Sequence, residues 1–134
     1  MKNKYFILLI FILTINLYSQ KKLNFEFDYA QFAYDSTSNY VEFYFSFDQN
    51  NLTLQKGDTI NFNAGRILVQ IKDSLNNFIV NKQFRAQSPY REDIESKLLI
   101  TKMSFALKPG VYKVHIVGKD DIDTLRTKTI DEKI

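Results

Sequence analysis

The 134-residue chain contains no cysteine. That excludes a disulfide framework, a lipid-modified cysteine, a thiolate zinc site and a thiol nucleophile, and it leaves the fold to be held by burial alone. Tryptophan is also missing, and His115 is the single histidine, too few for a multi-histidine metal centre. No glycine-rich phosphate loop, serine-centred nucleophile elbow or basic-aromatic nucleic-acid motif occurs, so neither a cofactor nor a nucleic-acid partner is expected. Only one long apolar run is found, at 6–13.

That run follows Lys2 and Lys4 and gives way to a more polar stretch ending in Ser19. Cationic start, apolar centre and small-residue end are the three parts of a secretory signal peptide. Asn16 interrupts the run before the ~20 apolar residues that a spanning helix needs, so no stable membrane anchor is expected after cleavage. Residues 1–19 are read as the leader and 20–134 as one domain. Losing Lys2 and Lys4 lowers the formal charge from +3 to +1, which offers nucleic acid or anionic lipid no net attraction. The expected location is the periplasm or the cell exterior.

Aromatic residues are plentiful, with 12 Phe and 8 Tyr, and they recur at period two. In 23–30, Leu23, Phe25, Phe27 and Tyr29 alternate with polar neighbours. Over 40–48, Val41, Phe43, Phe45 and Phe47 share one side, while Tyr40, Glu42, Tyr44, Ser46 and Asp48 share the other. Such alternation predicts antiparallel strands with one wet face. Shorter strands are expected at 52–54 and 59–63. Gly65 opens the next one, which runs to Lys72, and the Asn76-Asn77 pair can turn that strand into a hairpin with 78–84. Residues 85–97 break the alternation and read as the longest polar connection, with a helical turn after Pro89. Strands resume at 98–107, 112–118 and 124–130.

Seven or eight short strands without helical periodicity predict an all-β, immunoglobulin- or fibronectin-like antiparallel sandwich. Lys108-Pro109-Gly110 stops one strand abruptly, and Tyr112 follows at once. Pro109 removes a ladder donor and Gly110 permits a turn, so the chain is expected to change sheets there. Tyr112 can then place its ring in the core and return its hydroxyl to the backbone, as in the tyrosine corner of such sandwiches.

Several segments together resemble the N-terminal β-sandwich region of bacterial GWxTD-domain proteins. They are Phe27-Asp28-Tyr29-Ala30-Gln31-Phe32, Tyr40-Val41-Glu42-Phe43-Tyr44-Phe45-Ser46-Phe47, Asn51-Leu52-Thr53-Leu54, the Leu107-to-Tyr112 corner and 121–126. The resemblance implies an exported sandwich module. The namesake Gly-Trp-x-Thr-Asp motif is absent, and no functional residue is carried over.

Candidate chemistry is sparse. Asp120, Asp121 and Asp123 form the densest acidic cluster, but without the regular Asp-x-Asp-x-Asp-Gly calcium loop they read as a solvated hairpin turn. Glu26 with Asp28, and Glu42 with Asp48, lie on wet strand faces, where alternation explains them without glycosidase chemistry. His115 is expected to face solvent. Tyr40 and Tyr44 flank Glu42 on one polar face and could stack on a sugar ring or a protein partner. Together with Tyr90 in the 88–95 loop and the open sheet edges, they are the candidate contact surface. The expected function is a non-catalytic module of the bacterial cell envelope that contacts an envelope or extracellular protein. Carbohydrate binding through the tyrosine strip is the alternative.

Overall fold

The computed structural model describes residues 22–93 and 97–134. The expected leader, 1–19, and residues 94–96 of the expected 85–97 connection lie outside the described residues. Eight strands follow in order: β1 (Phe25–Ala33), β2 (Asn39–Asp48), β3 (Leu54–Gln55), β4 (Phe62–Lys72), β5 (Phe78–Pro89), β6 (Leu98–Leu107), β7 (Lys113–Asp120) and β8 (Thr127–Lys133). A 3-10 turn, Gln49–Asn51, follows β2 and is capped by the Asp48 carboxylate, which accepts from the Asn50 N–H at 3.0 Å.

These strands form two antiparallel sheets. One has the order β1-β2-β6. In the other, β5 pairs β4 along its whole length, while β7 takes the opposite edge of β4 at Gly65–Lys72 and the short β3 continues that edge at Phe62 and Asn63. β8 completes this five-stranded sheet beyond β7. The architecture is the expected immunoglobulin/fibronectin-like sandwich.

Strand β2 shows why the sequence folds this way. Val41, Phe43, Phe45 and Phe47 are almost wholly buried and the residues between them are half-exposed, so one period-two pattern supplies both a core face and a wet face. Phe25 and Phe27 of β1 join the ring cluster. Phe25 lies 4.7 Å from Phe47 between centroids, and Phe27 meets Phe43 edge-on at 5.1 Å. Ile67, Val69 and Ile71 of β4 and Val114 and Ile116 of β7 close the core from the other sheet.

Two glycines set the fit between the layers. A Cβ on Gly65 would fall 2.6 Å from the Phe47 ring, and one on Gly118 would fall 2.6 Å from the Phe25 ring. Because Ile67 pairs with Gly118 and Gly65 with Asp120, the two gaps adjoin on neighbouring strands. Together they receive the adjacent rings of Phe25 and Phe47. Gly65 therefore does not open a strand as the sequence suggested. It lies inside a continuous β4, where the missing side chain makes room for a ring.

The second correction concerns 85–97. Strand β5 runs on to Pro89, pairing Arg85 with Arg66, Ala86 with Gly65 and Pro89 with Phe62. Phe84 and Ala86 face inward while Arg85 and Gln87 are exposed. The strand alternation persists, but with residues too small or too polar to announce it. The connection to β6 begins only at Tyr90.

The chain crosses from β6 to β7, and so from one sheet to the other, at Pro109-Gly110. The Tyr112 hydroxyl donates to the Lys108 carbonyl at 2.8 Å, and its half-buried ring packs against the core. This is the expected tyrosine corner. The β4–β5 hairpin also forms as expected, with Asn76 at φ 64° and the Asp73 carboxylate accepting from the Leu75 and Asn77 N–H groups at 2.9 Å each. Those bonds, the Asn77 side chain first, hold the Asp73 carboxyl below its usual range.

Candidate contact surfaces

Tyr40, Glu42 and Tyr44 share the outer face of the three-stranded sheet, as their even spacing requires. Across the strands Tyr40 lies opposite Phe32 and Ala106, and Tyr44 opposite Asp28 and Lys102. Glu42 is the hub of this face. It accepts from the Tyr44 hydroxyl and, at 2.8 Å, from the Lys102 ammonium. Lys102 first and Tyr44 second hold its carboxyl below the usual range, and Glu42 in turn raises both the Tyr44 phenol and the Lys102 ammonium. Tyr44 is thus already committed within the face. Tyr40 instead stacks with Tyr34 at 6.1 Å, and with Phe32, half-exposed at 51 %, these rings form the apolar end of the strip. Sequence spacing did not reveal Tyr34 or Phe32 as members.

Tyr90 lies apart from this strip. It follows β5, its N–H donates to the Asn61 carbonyl at 2.8 Å, and the buried Lys97 places its ammonium 4.2 Å from the centre of its ring. Its role there is to cover the ammonium of Lys97, whose carbonyl accepts from the Gln49 N–H at 2.9 Å.

The acidic turn after β7 is not solvated as expected. Asp120 is completely buried, and its carboxylate accepts from the backbone N–H groups of Thr53, Ile122 and Asp123. Asp121 accepts from Arg66 Nε at 2.6 Å, Arg85 Nε at 2.8 Å and Gln55 Nε2 at 3.2 Å. Burial pushes its carboxyl up, but the Arg66, Arg85 and Gln55 bonds outweigh that and lower its pKa to about 2. Asp123 pairs with Arg126. The three carboxylates therefore bind three different parts of the chain and do not converge on one point. Among the described residues no group of three or more His, Cys, Asp or Glu side chains is arranged to hold a metal ion. His115 faces outward as expected, with Nδ1 2.7 Å from the Asp131 carboxylate.

The sheet edges are unequally protected. The ladder continues past Phe25 with Asp48 N–H donating to the Asn24 carbonyl at 3.0 Å, which fixes even-numbered residues of β1 as the ones bonded to β2. The backbone groups of Phe27, Tyr29 and Gln31 accordingly point off the free edge. The Tyr29 N–H is met there by the exposed Asp28 carboxylate at 2.8 Å. β1 has no Lys, Arg, Pro or register shift. β5 has Lys82, Arg85, Pro89 and a register shift against β4, and four of the seven residues of β8 are charged. Cations, prolines and bulges are the usual devices that discourage strand addition. β1 lacks all three.

Charge is segregated between the two outer faces, which the near-neutral total conceals. Glu26, Asp28, Glu42 and Asp48 against Lys102 make the three-stranded face acidic. On the five-stranded face, Arg85, Arg66 and Lys119 stand in one cross-strand row, and Lys72, Lys113 and Lys133 in another. A groove of about 570 Å³ runs past the second row, between Lys72, Lys113, His115, Asp131 and Lys133. Alternation alone puts each of these side chains outside. Their alignment into rows depends on strand register, which the sequence does not display. No protein-family model matches the chain, and no curated protein matches it.

Proposed function

We propose that the protein is an exported, non-catalytic sandwich module of the bacterial cell envelope that works by contacting another protein, and that the contact is made by strand addition at β1. The unguarded edge of β1 is the observation that carries this reading. Three residues direct backbone groups outward there, of which, among the described residues, only the Tyr29 N–H is met, by the exposed Asp28 carboxylate, and the side chains of Phe27 and Tyr29 beside them are incompletely buried. An extended segment of a partner would gain main-chain hydrogen bonds and apolar contact together. The resemblance of the segments quoted above to the sandwich region of GWxTD-domain proteins agrees with a module of this kind. The non-catalytic part of the reading is supported by the engagement of the acidic groups: Glu42, Asp120 and Asp121 are each held in structural bonds.

Tyr29→Pro tests the proposal. The Tyr29 N–H does not serve the β1–β2 ladder, so proline blocks an incoming strand and removes only the local bond to the Asp28 carboxylate. The protein should capture an envelope protein in cross-linking experiments, and the variant should fold yet lose that capture. Capture undiminished in a folded Tyr29→Pro variant would sink the assignment to β1.

The alternative is a carbohydrate site on the tyrosine strip, favoured by the exposed cluster of Phe32, Tyr34 and Tyr40. Since Tyr44 is tied to Glu42, Tyr40→Ala should weaken binding on a glycan array more than Tyr44→Ala. The reverse order, or no glycan bound, would remove this reading.

A further inference from the structure

The row Arg85–Arg66–Lys119 crosses three adjacent strands, β5, β4 and β7, whose axes are ~4.8 Å apart. Like charges directly opposite one another in a sheet oppose pairing. Asp121 offsets part of this repulsion, but both of its oxygens are consumed by Arg66, Arg85 and Gln55. It fixes the Arg66 side chain by Nε and leaves the far side of the guanidinium unused. Among the described residues no hydrogen bond is made by the Arg66 terminal amino groups, the Lys119 ammonium or the side chains of Gln83 and Thr124.

These free groups surround a groove of about 350 Å³, floored by Leu68 and Val117. Such a volume is at the small end of ligand pockets. The donors it leaves unbonded are the Arg66 terminal amino groups, the Lys119 ammonium, an amide and a hydroxyl, and Asp121, the one carboxylate among its described lining residues, is already paired. We infer that this groove binds an acidic sugar, whose carboxylate or sulfate bridges Arg66 and Lys119. The ring lies over Leu68 and Val117, and its hydroxyls meet Gln83 and Thr124. Arg66 suits an oxyanion because its planar donors are pre-oriented by the bond to Asp121. This site is on the opposite sheet from the tyrosine strip and does not involve the β1 edge.

Calorimetric titration of the purified protein with oligogalacturonate and with a sulfated dextran oligosaccharide tests the inference, with neutral dextran oligosaccharide, polyglutamate and sodium sulfate as comparisons. At least one acidic oligosaccharide should bind and the neutral one should not. Arg66→Gln and Lys119→Gln should each weaken the affinity by about tenfold or more. Lys133→Gln, in the other row, should leave it within about twofold, the size expected of screened, distant charge. Lys119 has no side-chain partner among the described residues, so its variant separates binding from folding even where Arg66→Gln destabilises the chain. Four results would overturn the inference: no acidic oligosaccharide bound, equal binding of the neutral sugar, an equal loss in Lys133→Gln, or tighter binding of polyglutamate or sulfate than of either acidic sugar.

Discussion

At the scale of the residue, the tyrosine corner offers a direct test. Tyr112→Phe keeps the ring in the core and removes only the hydroxyl bond to the Lys108 carbonyl. That carbonyl is exposed and can turn to water, so the loss should be about 1 kcal/mol, seen as a lower urea midpoint at unchanged slope. Gly118→Ala should do more. Its new methyl would fall 2.6 Å from the rigid Phe25 ring, and overpacking of this kind costs roughly 1–3 kcal/mol. Alanine at Gly110 meets no atom closer than 3.6 Å and serves as the tolerated comparison. Pro109, Gly110 and Tyr112 were legible because a corner is a local pattern of three neighbouring residues. The purpose of Gly65 and Gly118 was not, since each is defined by a ring from the other sheet.

Among the elements, the turn after β7 ties three strands of the five-stranded sheet together through side chains. Asp121 reaches β3 through Gln55, β4 through Arg66 and β5 through Arg85. Its carboxyl pKa is depressed from 3.8 to about 2, so the ionised form is favoured by folding. The resulting stability is complete above the unfolded value and is lost as pH falls through the window from 3.8 to about 2. The side chain is 7 % exposed, but its arginine partners are far more open to solvent, so the contribution is about 1–2 kcal/mol. Acid titration of the unfolding midpoint should show this loss, and Asp121→Asn should flatten that part of the curve. β2 was the most readable element, its four inward residues being apolar and the five outward ones, Tyr40 to Asp48, each carrying a polar group. β5 was the least readable. Its C-terminal half is held by pairing with β4 and by Arg85 bonds, neither of which leaves an apolar period in the sequence.

For the whole molecule, class and layer plan could be read in advance, because period two, turn residues and the absence of helical periodicity act together. The arrangement of charge could not. A sum over residues carries no direction, and the rows Arg85–Arg66–Lys119 and Lys72–Lys113–Lys133 arise only when β4, β5, β7 and β8 are set side by side. The purified protein at neutral pH and low salt should therefore be retained on both sulfonate and quaternary-ammonium resins despite its small net charge. Replacing Arg66 and Lys119 with Gln should release it earlier from the first and later from the second. Passage through both columns without delay would contradict the segregation.

A body with opposite signs on its two broad sides has an electric axis running through the sandwich from sheet to sheet. Close to an anionic layer, that axis turns the flat flank of β4, β5, β7 and β8 downward before any contact is made, and the acidic flank outward. The narrow side that includes the bare β1 edge then stands upright, reachable from the open solution rather than pressed beneath the protein.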